Sequence, residues 1–165
     1  RRPPTSTLFP YTTLFRSLLD GAHSDFRRAR AAAANLIPTT TSAIRAVGNV
    51  IPELKGRFDG FATRVPIPDG SFVELTALTE KPVTPPQIRE AFSQASMHSL
   101  KGILEYCTDP IVSSDILGNP HSCIFDALCT RVIDGDLVQI LAWYDNEAGY
   151  SNRIIDLIRH IALQP

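Results

Sequence analysis

Four consecutive hydroxyl residues, Thr39-Thr40-Thr41-Ser42, stand just ahead of a stretch in which Ile44, Val47 and Ile51 share a helical face. Hydroxyls and unpaired backbone N–H groups at a helix start converge on one point, which is what binding a phosphate requires. Serine and threonine also cap helices without any ligand, so capping alone accounts for the run equally well. Arg64 is a second candidate, because it interrupts the uncharged strand-like segment Phe61-Ala62-Thr63-Arg64-Val65-Pro66, on the face opposite Phe61 and Val65. A guanidinium placed there needs a carboxylate or a phosphate to offset its desolvation. Arg27, Arg28 and Arg30 beside Asp25 form a local basic cluster, which a solvated face would also explain. The last candidate is the run Trp143-Tyr144-Asp145-Asn146-Glu147-Ala148-Gly149-Tyr150. An N-cap accounts for Asp145 or Asn146, but not for Asp, Asn, Glu and two Tyr within eight positions.

The thiols offer less. Cys123 stands beside His121, yet a reactive cysteine needs a partner in space rather than in sequence. Cys107 and Cys129 sit among apolar neighbours and read as packing thiols. The three cysteines contain no Cys-x-x-Cys, and His23, His98 and His160 lack metal-ligand spacing. No metal is expected, and a reducing compartment fits.

These candidates need elements to hold them. Residues 137–144 alternate as a strand with Val138, Ile140, Ala142 and Tyr144 on one face and Leu137, Leu141 and Trp143 on the other, so both faces must be covered. Ile154, Ile155, Leu157, Ile158 and Ile161 recur at helical spacing and predict a helix over residues 147–163, capped by Asp145 or Asn146. A further helix is expected from residue 43 to 51, capped by Thr41 or Ser42. Another starts at Thr84-Pro85-Pro86-Gln87, which carries a capping-box pattern with proline at the first helical position, and ends near Ser96. Residues 58–66 and 72–78 read as an antiparallel hairpin across Pro68-Asp69-Gly70-Ser71. Residues 102–106, 123–125 and 129–134 are further strands, and Asp134-Gly135-Asp136 turns the last into residue 137. Residues 18–35 read as an Ala-rich ordered loop or short helical turn. The expected fold class is α+β, a mostly antiparallel mixed sheet with helices on one face.

The 165 residues suffice for one sizeable core, with 44% hydrophobic and 20% charged residues in the ordinary range for a globular domain. Sixteen basic against seventeen acidic residues leave a formal charge of −1, so no whole-chain field attracts nucleic acid or an acidic membrane. No apolar run approaches the roughly 18 residues that span a bilayer. Neither nucleic acid nor membrane is expected as a partner. Residues 1–17 show no lasting period and resemble translated sequencing-adapter sequence; they are expected to be a spurious or disordered leader. There is no Gly-x-Gly-x-x-Gly and no internal repeat.

Six motifs in order and register carry a resemblance: Asp25-Phe26-Arg27-Arg28-Ala29-Arg30-Ala31-Ala32-Ala33, Leu36-Ile37-Pro38-Thr39-Thr40-Thr41, Pro52-Glu53-Leu54-Lys55-Gly56, Arg64-Val65-Pro66, Val132-Ile133-Asp134-Gly135 and Trp143-Tyr144-Asp145-Asn146-Glu147. Together they resemble the C-terminal catalytic domain of the phosphorylating glyceraldehyde-3-phosphate dehydrogenases, from residue 18 to the end. The resemblance implies an NAD-dependent, cytoplasmic, homotetrameric glycolytic enzyme acting on glyceraldehyde 3-phosphate and inorganic phosphate. Its chemistry runs through a cysteine thiohemiacetal that is oxidised to a thioester and released by phosphate. Arg28 matches an arginine that helps hold the substrate phosphate, and Arg64 one that serves both substrate and attacking phosphate. Thr41 and Ser42 match the family's Thr-Gly pair at the attacking-phosphate site, with serine here in place of glycine. Asn146 matches the residue that hydrogen-bonds the nicotinamide carboxamide, and Tyr150 packs beside it.

The family's Rossmann domain, its nucleophilic cysteine in a Ser-Cys-Thr-Thr-Asn-Cys motif and the activating histidine are absent from this sequence, and their place is upstream of Leu18. None of Cys107, Cys123 and Cys129 lies in that motif, so no catalytic residue is assigned and the chain alone is expected to be inactive. NADP stays open beside NAD, because the residue that reads the adenosine ribose belongs to the Rossmann domain. An erythrose-4-phosphate dehydrogenase shares most of these motifs. The alternative from another class is a non-catalytic phosphosugar-binding or oligomerisation module.

Overall fold

Residues 19–163 are described by a computed structural model, and they form two units that part between Ile67 and Pro68. The leader expected at residues 1–17 lies outside them. In the first unit, turns over residues 24–34 lead into β1 (Ile37–Thr39), α1 (Ala43–Val50), a 3-10 turn (Pro52–Leu54) and β2 (Ala62–Arg64). β1 and β2 pair antiparallel with Ile37 opposite Arg64 and Thr39 opposite Ala62. Ile37 and Thr39 are buried while Pro38 is not, which is the two-residue period of a ribbon covered on one side.

The hairpin expected between residues 58–66 and 72–78 does not form, since β2 pairs with β1 instead. Pro66 closes the first expected strand and has no N–H to donate, so a ladder there would lack a donor at its turn end. Released from that pairing, β3 (Ser71–Leu78) runs alongside β6 (Leu137–Tyr144) in unbroken antiparallel register, from Ser71 opposite Tyr144 to Leu78 opposite Leu137.

The second unit is a four-stranded sheet in the order β3-β6-β5-β4, with α2 (Pro85–Met97), β4 (Leu104–Cys107), β5 (Cys123–Ile133) and α3 (Asn146–Ala162) completing it. β4 lies parallel to β5 and every other pairing is antiparallel, so the sheet is mixed. The two segments expected at 123–125 and 129–134 are one strand, interrupted in register between Asp126 and Arg131. At that bulge Asp126 Oδ1 accepts the N–H groups of Leu128 and Cys129 at 3.0 and 3.1 Å, while Oδ2 accepts Trp143 Nε1–H at 3.0 Å. A buried carboxylate thus takes over donors that the bulge removes from the ladder. Asp134 and Gly135 both adopt positive φ, 51° and 86°, the backbone of a tight hairpin turn whose twist matches its strands.

α2 starts on the expected box, with Thr84 N–H donating to Gln87 Oε1 at 2.9 Å. Its Ile88, Phe92 and Ala95 pack on Leu104, Phe125 and Ala127 of the sheet. Phe92 stacks on Phe125 with centroids 4.0 Å apart. The other sheet face carries Cys107, Ile124 and Trp143, covered by Ile111 and Ile116 from the connection between β4 and β5. Phe72 meets the Trp143 ring edge to face at 5.3 Å.

Candidate functional site

In the first unit, Arg28 is held by the hydroxyl run. Its Nε donates to Thr39 Oγ1 at 2.6 Å, and its Nη2 donates to Thr40 Oγ1 at 3.1 Å and to the Thr40 carbonyl at 3.3 Å. Asp25 adds an ion pair at 3.4 Å, and its Oδ1 also accepts the Arg27 N–H. Three of these four contacts come from Thr39 and Thr40, eleven or twelve residues away, so the guanidinium is oriented chiefly by the end of β1 and the residue after it, with Asp25 of its own turn as the remaining contact.

The register of the ribbon decides where Arg64 stands. Ile37 opposes Arg64, and Thr39 follows Ile37 by two residues, so Arg64 and Thr39 share a ribbon face. Arg28, bonded to Thr39, approaches that same face. Among the described residues no carboxylate pairs with Arg64, so the salt bridge that would have explained it in structural terms is missing. Thr41 Oγ1 accepts the Ala43 N–H at 3.2 Å, which makes Thr41 the side-chain cap of α1. Ser42 occupies the N-cap position at φ −78° and makes no capping bond of its own. That φ is open to any residue, so serine sits here without backbone strain.

Thr39, in sequence only one hydroxyl of a run of four, is buried and orients Arg28. The usable signal is parity with Ile37 across Pro38, which requires first recognising a three-residue strand.

In the second unit, Asp145 caps α3. Its Oδ1 accepts the N–H groups of Glu147 and Ala148, both at 2.8 Å. Its Oδ2 accepts the Gly118 N–H at 2.7 Å, from the connection between β4 and β5. Burial raises the Asp145 pKa, but the N–H groups of Ala148, Gly118 and Glu147 and a contact with Asp69 outweigh it, leaving the carboxyl below its ordinary value. Asn146 and Tyr150 follow at positions one turn apart on α3, and both are exposed. The Asn146 carboxamide thus stands exposed on a helical turn that the Asp145 bonds hold in place. Gly149 is buried; a Cβ there would come within 2.9 Å of the His121 carbonyl oxygen, so the helix turn and the His121 segment are in close backbone contact.

The thiols stand apart from this chemistry. Burial pushes the Cys123 thiol up, and His121 is engaged with Glu105 at 3.0 Å and Asn119 at 2.9 Å, not with sulfur. Cys129 is half-buried at the β5 bulge rather than packed in the core, and burial followed by the Asp126 carboxylate raises its thiol pKa. Cys107 is buried, as its apolar setting predicts. Among the described residues no group of three or more His, Cys, Asp or Glu is arranged to hold a metal, and no helix is long and apolar enough to cross a membrane.

The family model of the glyceraldehyde 3-phosphate dehydrogenase C-terminal domain matches residues 6–146, beginning inside the segment expected to be a leader. Similar proteins include a glyceraldehyde-3-phosphate dehydrogenase of Mycobacterium avium, 53% identical over 153 residues, which are 93% of this chain and 44% of the relative. Glyceraldehyde-3-phosphate dehydrogenase 2 of Streptomyces avermitilis is 51% identical over 92% of this chain and 45% of its own length. The enzyme of that name from Priestia megaterium is 48% identical over 98% of this chain and 48% of its own length. The chain therefore spans somewhat under half the length of these relatives. With its mixed sheet, its paired arginine segments and a family match over most of its length, the chain belongs to the glyceraldehyde 3-phosphate dehydrogenase C-terminal domain family.

Proposed function

We propose that this chain is the C-terminal catalytic portion of an NAD-dependent, phosphorylating glyceraldehyde-3-phosphate dehydrogenase. In this reading Arg28 and Arg64 hold phosphate groups of the aldehyde and of inorganic phosphate, with Thr41 and Ser42 beside the attacking phosphate. Asn146 and Tyr150 receive the nicotinamide. NAD, when bound, accepts the hydride that oxidises the thiohemiacetal; the residues of this chain bind and orient. A Rossmann domain, a nucleophilic cysteine and an activating histidine come from upstream sequence, and the working enzyme is a cytoplasmic homotetramer in glycolysis.

The observation that carries this reading is the pairing of Arg28 and Arg64 with one face of the β1–β2 ribbon, Arg64 having no carboxylate partner among the described residues. Two guanidinium groups beside buried and exposed hydroxyls form an anion site, and bidentate recognition of phosphate is the task such forks perform best.

The test begins with the genomic sequence upstream of this segment. The full-length protein should reduce NAD in the presence of glyceraldehyde 3-phosphate and phosphate, and should turn over erythrose 4-phosphate much more slowly. The reverse preference would make it an erythrose-4-phosphate dehydrogenase. The 165-residue chain alone should form no NADH, because none of its cysteines matches the nucleophile's motif; NADH formation by the purified chain would overturn that.

A further inference from the structure

Asp145 does two jobs with its two oxygens, and only one is helix capping. Oδ1 satisfies two orphan N–H groups of the first turn of α3, at Glu147 and Ala148. Oδ2 reaches away from the helix to the N–H of Gly118, 27 residues earlier in the chain. Gly118 adopts φ +78°, a backbone conformation in which its N–H faces the carboxylate at little cost to glycine and some cost to any other residue.

The same connection meets the helix a second time. The His121 carbonyl lies against Gly149, on the turn that follows Asn146, closely enough that any side chain at 149 would displace it. His121 is itself held by Glu105 and Asn119, and Asn119 Nδ2 donates to Glu105 Oε2 at 2.8 Å. The first turn of α3 is therefore braced from outside at two points, and Asn146 lies between them in sequence. Helix ends fray when only their own hydrogen bonds hold them. A residue that must present a carboxamide in one orientation needs such support from its surroundings.

We infer that Asp145 is a positioning residue for Asn146, acting through its bond to Gly118 rather than through the helix cap. This rests on the nicotinamide role proposed for Asn146. Loss of the Gly118 bond frees the turn to move relative to the sheet, and misplacement of a recognition group by about an ångström is enough to weaken it by roughly ten- to a hundredfold.

Two substitutions separate the two jobs. Asp145→Ser keeps a capping oxygen for α3 but is too short to bridge to Gly118 as well. Asp145→Asn keeps one acceptor for the cap and turns an N–H donor toward the Gly118 N–H, which cannot pair with it. Each is made in the full-length enzyme, alone and in an Asn146→Ala background, and KM for NAD, kcat and melting temperature are measured.

Both single variants should raise KM for NAD about tenfold while kcat falls less than about twofold. In the Asn146→Ala background they should raise it no further, because Asp145 would then have nothing left to position. A merely structural role would lower the melting temperature and the active fraction without moving KM, and would add to Asn146→Ala. An active enzyme in which Asp145→Ser keeps the wild-type KM, or in which the effects add, overturns the inference and leaves the proposed function standing. An enzyme inert toward NAD overturns both.

Discussion

Arg28 Nε donates to Thr39 Oγ1 at 2.6 Å, and Thr39 is buried with only 8% of its surface exposed. A buried hydroxyl bonded to a half-exposed guanidinium fixes the direction of the guanidinium more than it stabilises the fold. Removing the hydroxyl in Thr39→Val keeps the volume and β propensity of the position while leaving Nε only its longer, 3.4 Å contact with Asp25. If Arg28 holds the phosphate of the aldehyde as proposed, KM for that substrate in the full-length protein should rise about tenfold with little change in KM for NAD. Thr39→Ser should recover most of the loss. Equal KM values in Thr39→Val and wild type would show that β1 does not orient Arg28.

Arg64 calls for a different substitution, since nothing among the described residues pairs with it. Arg64→Lys retains the charge but loses the planar fork, and a lysine meets phosphate as a point charge. If Arg64 binds phosphate through two parallel bonds, Arg64→Lys should raise KM for inorganic phosphate nearly as much as Arg64→Ala does. A lysine variant with wild-type phosphate kinetics would reduce Arg64 to a source of positive potential.

Asp126 bears on stability. Replacing it with alanine strands the N–H groups of Leu128 and Cys129 and the indole N–H of Trp143, all bonded to one buried carboxylate. A stranded donor costs up to about 1–3 kcal/mol, and all three of these bonds are part-buried, so Asp126→Ala should destabilise the chain by about 3 kcal/mol. Urea unfolding followed by the fluorescence of Trp143, the one tryptophan in the sequence, would measure it. A loss under about 1 kcal/mol would mean that water replaces the carboxylate at the bulge.

Asp145 gives the fold an acid limit. Its folded carboxyl lies below the ordinary value, because N–H bonds from Ala148, Gly118 and Glu147 outweigh its burial. A depressed folded pKa supplies stability that is fully present above the unfolded aspartate value of about 3.9 and is lost as pH falls through the folded value. With respect to this group, stability should therefore be independent of pH near neutrality, where the Asp145 contribution is fully present, and should decline below about pH 4. Asp145→Asn should remove that part of the acid dependence. An unchanged acid limb in the variant would assign the decline to other carboxylates.

How much of this was legible in the sequence depends on how local each determinant is. α2 could be read from Thr84, Pro85 and Gln87, and the β5–β6 turn from Asp134 and Gly135, because those residues act on their immediate neighbours. β1 could not, since three residues with a central proline become a strand only when Ala62–Arg64 arrives as partner. The hairpin expectation failed for the same reason: Asp69-Gly70 is good turn chemistry, but the partner of β3 is β6, which follows only after α2, β4 and β5. Within the candidate site, Arg28, Arg64 and Asn146 stood out by type. Their supports, Thr39 and Gly118, did not, because each acts across a separation that no local pattern encodes.

The last prediction concerns the sheet itself. α2 covers the face of Leu104, Phe125 and Ala127. On the opposite face, Phe72 and Leu78 align with Trp143 and Leu137 in the β3–β6 register, and Phe72 is 53% and Leu78 76% exposed. α3 likewise exposes Ile154, Leu157, Ile158 and Ile161. Apolar surface of this extent is characteristic of surfaces that are covered in an assembly, and uncovered it drives association. Light scattering of the purified chain should therefore give a mass well above 18.1 kDa that rises with concentration. Leu78→Lys should lower that mass if the sheet face is responsible, since a charge at an exposed edge position opposes pairing. Ile158→Lys should do so if α3 is responsible. A chain that stays monomeric and well dispersed across the concentration range would show that neither surface is sticky enough to need a partner.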